Sequence, residues 1–142
     1  MSRSNKKIRD VMTTDPAVVD VSEPVIEAAR LMQERSIGDV LVVRGDELVG
    51  VLTDRDIVVR CIARGMDPSS QTVEGCCSSS LATVGPDSDT DEVVQLMVDR
   101  AIRRVPVVES GRPVGVVSIG DLAEHLDSQS ALGAISAAPP NN

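Results

Sequence analysis

Apolar residues fall into two kinds of run along this chain, and both kinds recur in the same order. Val25, Ala28, Ala29 and Met32 are spaced to share one face of a helix, as are Val93, Val94 and Met97 further on. Each helical stripe is followed by two short Val-rich runs of strand length, residues 40–43 and 48–52, then 105–108 and 114–117. The polar tetrapeptides Arg44-Gly45-Asp46-Glu47 and Glu109-Ser110-Gly111-Arg112 separate the runs, so each pair reads as a hairpin. Short extended segments, residues 17–21 and 82–84, precede the stripes. Ser22 and Asp87 stand where an N-cap belongs, with acidic residues after them, and Pro24 falls in the first helical turn. A second helix is predicted over 57–64 and over 122–126. The order is strand, helix, strand, strand, helix, twice.

The recurrence is a sequence repeat. Residues 8–57 align without a gap onto 73–122 with about 14 identities in 50 positions, and EAARLMQERSIGDVLVV lies over EVVQLMVDRAIRRVPVV. This divides the chain into a tail (1–7), a first repeat (8–65), a polar linker (66–72), a second repeat (73–126) and a loose Ser-, Ala- and Pro-rich tail (127–142). Neither half has much core alone. The expected fold is therefore α/β (α+β), with two β-α-β-β-α repeats packed sheet to sheet about a pseudo-two-fold axis.

Composition narrows the chemistry. The 142 residues include no Phe, Tyr or Trp, so the core is built from Val, Ile, Leu, Met and Ala. A purine would have to lie against aliphatic side chains and peptide planes. The net charge of −8 opposes nucleic-acid binding, which needs basic surface. No run approaches the roughly 20 apolar residues of a membrane span, and the polar opening MSRSNKKIRD precedes no apolar signal segment. The expectation is a cytoplasmic protein with neither nucleic acid nor membrane as partner. Cys61, Cys76 and Cys77 have no framework spacing and read as reduced, buried or half-buried thiols. With His125 the only histidine, no metal cluster and no nucleophile–base pair can be assembled, so no metal, no required cofactor and no enzyme activity are expected.

One stretch of polar residues carries functional content. GVLTDRD (50–56) and GVVSIGD (115–121) close the second strand of each repeat and open the following helix. Thr53 with Asp56, and Ser118 with Asp121, fit a capping box, in which hydroxyl and carboxylate satisfy each other's backbone N–H groups. The same atoms fit a nucleotide handle. Free N–H groups at a helix start suit a phosphate, a carboxylate one turn on can accept from both hydroxyls of a ribose, and a strand Gly admits close approach. Local physics leaves both readings open.

The doubled unit, with DVMT near its start, a VPVV-type strand and GVLTDRD or GVVSIGD at its end, resembles a tandem pair of CBS domains over residues 8 to about 126. The extension TDRDIVVRCIARGMDP is similar to small stand-alone CBS-pair proteins of actinobacteria, a group that includes a hypoxic response protein. The resemblance implies a non-catalytic regulatory module, a homodimer, that takes an adenosine nucleotide such as AMP, ADP or ATP between its repeats. Carried over by position, one site would pair Ser118 and Asp121 with Thr13, Ala17, Ile37, Gly38 and Asp39. The other would pair Thr53, Arg55 and Asp56 with Ser78, Ala82, Ile102, Arg103 and Arg104, and its arginines make it the better candidate for a phosphorylated ligand. The chain departs from a strict repeat where VEGCC replaces IRDVM and Pro106 replaces Leu41. The alternative is a nucleotide-free dimeric scaffold whose exposed surfaces bind a partner protein.

Overall fold

The helix-then-hairpin order is realised twice, at a constant offset of 65 residues in sequence. The computed structural model describes residues 6–79 and 81–125. Its elements are α1 (Ile8–Val11), β1 (Val18–Asp20), α2 (Val25–Arg35), β2 (Asp39–Arg44), β3 (Glu47–Thr53) and α3 (Asp54–Ile57), which runs on into a π-helical turn (Val58–Ile62). After a 3-10 turn (Val73–Gly75) come α4 (Thr90–Arg100), β4 (Arg104–Glu109), β5 (Arg112–Ser118) and α5 (Ile119–His125). The 127–142 tail and Leu126, the expected end of the last helix, lie outside the described residues.

The chain folds as two units, and these cut across the sequence repeats. One unit is built from residues 16–81, the other from residues up to 15 together with those from 82 onward. The leading segment of each repeat is therefore exchanged. α1 belongs with α4, β4 and β5, while residues 73–78 belong with α2, β2 and β3.

In the 16–81 unit, β1 pairs parallel to β2 with Val18 opposite Leu41. β2 pairs antiparallel to β3 from Asp39 opposite Thr53 to Arg44 opposite Glu47. Ser78 adds a last rung on the free edge of β3, exchanging two 2.9 Å hydrogen bonds with Val51. Val25, Ala28 and Met32 of α2 meet Val40, Val42 and Leu52 of the sheet in one core that also takes in Cys61, Val73 and Cys76. Ala29 of the predicted stripe is half-buried.

The second unit repeats this plan. β4 and β5 form a hairpin from Arg104 opposite Ser118 to Glu109 opposite Arg112. Val84 bridges Val107 on one side and Thr13 bridges Val116 on the other. Ile8 and Val11 enter the core of Val93, Met97, Val105, Val107, Val117 and Leu122. Lys7–Asp89 and Arg9–Asp87 ion pairs flank α1, but both are exposed, so such pairs add little.

The two predicted caps are corrected. α2 starts at Val25 with Pro24 at the cap position, and Ser22 instead donates to Asp20. The first N–H groups of α2 are already satisfied by linker carbonyls, Val25 donating to Gln71 O at 2.8 Å and Ile26 to Pro68 O at 2.9 Å. A side-chain cap there has nothing left to bond. α4 starts after Asp89, whose N–H donates to Glu92, while Asp87 turns to Arg9.

Candidate functional site

Both halves of the capping-box reading are realised. Asp56 N–H donates to Thr53 Oγ1 and Thr53 N–H to Asp56 Oδ2, each at 3.0 Å. Asp121 N–H donates to Ser118 Oγ at 3.1 Å and Ser118 N–H to Asp121 Oδ2 at 2.9 Å. Each carboxylate thus commits one oxygen to its helix start. The other oxygen of Asp121 faces the exchanged leading segment, and that of Asp56 faces Arg60 on its own helical turn. Thr13 Oγ1 donates to Asp121 Oδ1 at 3.2 Å. Asp56 Oδ1 lies 3.9 Å from Arg60 Nε, and Arg60 Nη1 donates to the carbonyls of Cys77 at 3.2 Å and Cys76 at 3.4 Å.

Two features of the phosphate reading change. α3 is only four residues long before it becomes π-helical, so the regular backbone dipole behind its start is small. Phosphate recognition near Asp56 would therefore rest on arginine. The glycine that admits close approach admits the protein's own backbone. A Cβ on Gly50 would stand 2.8 Å from Ser78 O, and one on Gly115 2.8 Å from Thr13 O.

The sequence-predicted residues distribute between the units. Ala17, Ile37, Gly38 and Asp39 lie in the unit of Thr53, Arg55, Asp56 and Ser78. Gly38 O accepts from Asp54 N–H at 2.9 Å, Ala17 O accepts from Leu41 N–H at 2.9 Å, and Asp39 stands opposite Thr53. Ala82, Ile102, Arg103 and Arg104 lie in the unit of Thr13, Ser118 and Asp121. Arg103 O accepts from Ile119 N–H at 3.0 Å, and Arg104 stands opposite Ser118. Ile37 and Ile102 are half-buried against their cores, as packing residues would be. Sequence reasoning passed over Arg60. The signal was there: it lies four residues after Asp56, on the same side of a helical turn.

The thiols behave as small core residues. Cys61 and Cys76 are buried and Cys77 half-buried. Burial pushes the Cys76 thiol up, with Cys61 adding to the shift, and burial does the same for Cys77. A raised folded-state pKa means that stability holds below the ordinary thiol range and is lost as pH rises through the folded value. Thermal stability should fall more steeply above pH ~9 in the wild type than in Cys76→Ala/Cys77→Ala, measured by calorimetry across pH 7–10.5.

Among the described residues, no helix is long and apolar enough to cross a membrane. Against known proteins, the family profile described as CBS domain matches residues 8–62 and 73–128. The CBS domain-containing protein YhcV of Bacillus subtilis is 37% identical over 126 residues, covering 89% of each chain. Hypoxic response protein 1 of Mycobacterium tuberculosis is 36% identical over 119 residues, covering 83% of each. A crystal structure of hypoxic response protein I with two coordinated zinc ions superposes with a TM-score of 0.77 at 35% identity, covering 85% of this chain and 99% of that one.

Proposed function

The chain belongs to the CBS domain family and carries two such domains in tandem, and from that premise we propose that it is a non-catalytic regulatory module that binds an adenosine-containing nucleotide. The observation that supports this most is the duplicated carboxylate. Asp56 and Asp121 each hold one oxygen in the helix start and keep the other directed away from it, toward Arg60 and Thr13 respectively. A ribose presents two adjacent hydroxyls, both donors, and a carboxylate is the acceptor-only group that takes both.

Thr53, Arg55, Asp56 and Ser78 form one set of ligand residues, and Thr13, Ser118 and Asp121 the other. Ala17, Ile37, Gly38, Asp39, Ala82, Ile102, Arg103 and Arg104 are the candidate neighbours of the base. Arg55 and Arg60 sit on the turn that carries Asp56, which favours that set for a phosphorylated ligand. The zinc ions of the hypoxic response protein structure are not carried over. Among the described residues no group of three or more His, Cys, Asp or Glu side chains is placed to hold a metal.

Isothermal titration with AMP, ADP, ATP, NAD and S-adenosylmethionine tests the proposal. At least one adenosine ligand should bind, and Asp56→Ala or Asp121→Ala should weaken it by roughly tenfold or more, the loss of a charge-assisted hydrogen bond. Absence of heat with every ligand, or undiminished binding in the double variant, overturns it. A second reading, the nucleotide-free dimeric scaffold that binds a partner protein, is favoured by one observation. Val58, Val59, Ile62 and Met66 are all exposed along one short stretch, Val58 to 58%. In that case Asp56→Ala would lower the melting temperature while no nucleotide raised it.

A further inference from the structure

Arg60 joins the turn that carries Asp56 to the segment that carries Cys76 and Cys77. Its guanidinium reaches the carbonyls of Cys76 and Cys77 through Nη1, at 3.4 and 3.2 Å, and stands 3.9 Å from Asp56 Oδ1 through Nε. The fork geometry of arginine suits this division, since different nitrogens serve the two sides. Asp56 is largely withdrawn from solvent, its side chain 16% exposed, so even a long pairing is less screened than one on open surface. The two carbonyls directly precede Ser78, the residue that completes the edge of β3. In the other unit position 125 is His rather than Arg. There the tie between leading segment and carboxylate is made by Thr13 itself, through its hydroxyl. The two units thus connect the arriving segment to the motif carboxylate by different chemistry.

We propose that Arg60 is a positioning residue: it fastens residues 76–78 to the turn carrying Asp56, so that the seating of Ser78 and the occupancy of Asp56 are linked. The link to occupancy rests on the nucleotide reading above; the fastening does not. Linkage is reciprocal. A ligand that engages both Asp56 and Ser78 steadies the segment, and a loosened segment weakens the ligand.

The chain carries its own reporters. Cys76 sits in the fastened segment and Cys61 in the π-helical turn, both buried. They fall in different tryptic peptides, split after Arg64. Cys76 shares its peptide with the half-buried Cys77, so alkylation of the native protein with N-ethylmaleimide is followed by fragment-ion mass analysis, which assigns the label to Cys61, Cys76 or Cys77 and gives a rate for each. Arg60→Gln should speed Cys76 by about tenfold, equivalent to roughly 1.4 kcal/mol of local closure, with Cys61 unchanged. Arg60→Lys should recover part of the protection. Acceleration of Cys61 to the same extent marks a general loss of stability and overturns the assignment, as does an unchanged Cys76 rate.

With AMP at saturating concentration, Cys76 in the wild type should slow further, and Arg60→Gln should bind AMP more weakly. AMP that binds by calorimetry without altering the Cys76 rate overturns the linkage. AMP, ADP, ATP, NAD and S-adenosylmethionine all failing to bind overturns the nucleotide reading instead, and the ligand-free rates then decide the fastening alone.

Discussion

Removing residues 1–13 is expected to unfold the unit built on α4, β4 and β5, at a loss of about 5 kcal/mol. Ile8 and Val11, 0% and 3% exposed, are core residues of that unit although they precede it by some eighty positions. Burying each contributes about 2 kcal/mol. The two hydrogen bonds exchanged by Thr13 and Val116, and those from Ile8 and Arg9 to Ser88 and Pro86, add roughly another 1 kcal/mol or more. A loss of that size is comparable with the whole stability of a small domain. Hydrogen exchange would show protection lost in residues 93–117 before residues 25–52. A synthetic peptide of residues 1–15, added in trans, should restore it. A truncated chain that keeps full protection in β4 and β5 would overturn the role given to α1.

That exchange of leading segments was open to sequence reasoning but needed a different kind of question. The repeat at offset 65 is satisfied equally whether a leader docks on its own repeat or on the other, because the two leaders occupy equivalent positions. Chain reach distinguishes them. Val18, Leu41, Val51 and Ser78 form one row across the sheet, so the leader's rung and β1 are three strand spacings apart, about 14 Å. Thr13 is five residues before Val18, a span of at most about 17 Å fully extended. Such a connection would have to run almost straight across the side chains of β2 and β3. Docking on the other repeat removes that conflict.

The helices and hairpins were legible because burial imposes its period directly: Val25, Ala28 and Met32 mark one face whatever they pack against. Helix starts were less so. Ser22 is a good cap by type, yet the Gln71 and Pro68 carbonyls reach the N–H groups first. No local rule anticipates a partner that lies more than forty residues away. The polar motifs occupy an intermediate place. Thr53 with Asp56 and Ser118 with Asp121 form the boxes their spacing predicts. The second oxygen of Asp121, turned to Thr13, depends on the leader exchange and so was hidden with it, whereas that of Asp56 faces Arg60, only four residues on.

Gly50→Ala and Gly115→Ala should each lower stability by about 2–3 kcal/mol, while Gly120→Ala should be neutral or slightly stabilising. All three glycines lie at ordinary backbone angles, since the positive-φ glycines are Gly45, Gly65 and Gly111. What differs is the space. A Cβ at Gly50 meets Ser78 O at 2.8 Å and Cys77 Sγ at 3.1 Å. At Gly115 it meets Met12 Sδ at 2.7 Å and Thr13 O at 2.8 Å. The sulfurs can turn aside, but the carbonyls are held by hydrogen bonds from Val51 and Val116. To admit a methyl group the leading segment must therefore leave the edge of the sheet, and overpacking of this kind costs about 1–3 kcal/mol. At Gly120 a Cβ meets only Ser118 Oγ, at 3.6 Å, and alanine is the better helix former by up to about 1 kcal/mol. Chemical denaturation of the three variants checks the ranking. If Gly50→Ala and Gly115→Ala unfold at the same midpoint as Gly120→Ala, the leading segments are not packed against β3 and β5. The polar tie at Asp121 would then lose its basis, because Thr13 meets that carboxylate only while its segment is seated, and Arg60 would lose the carbonyls of Cys76 and Cys77.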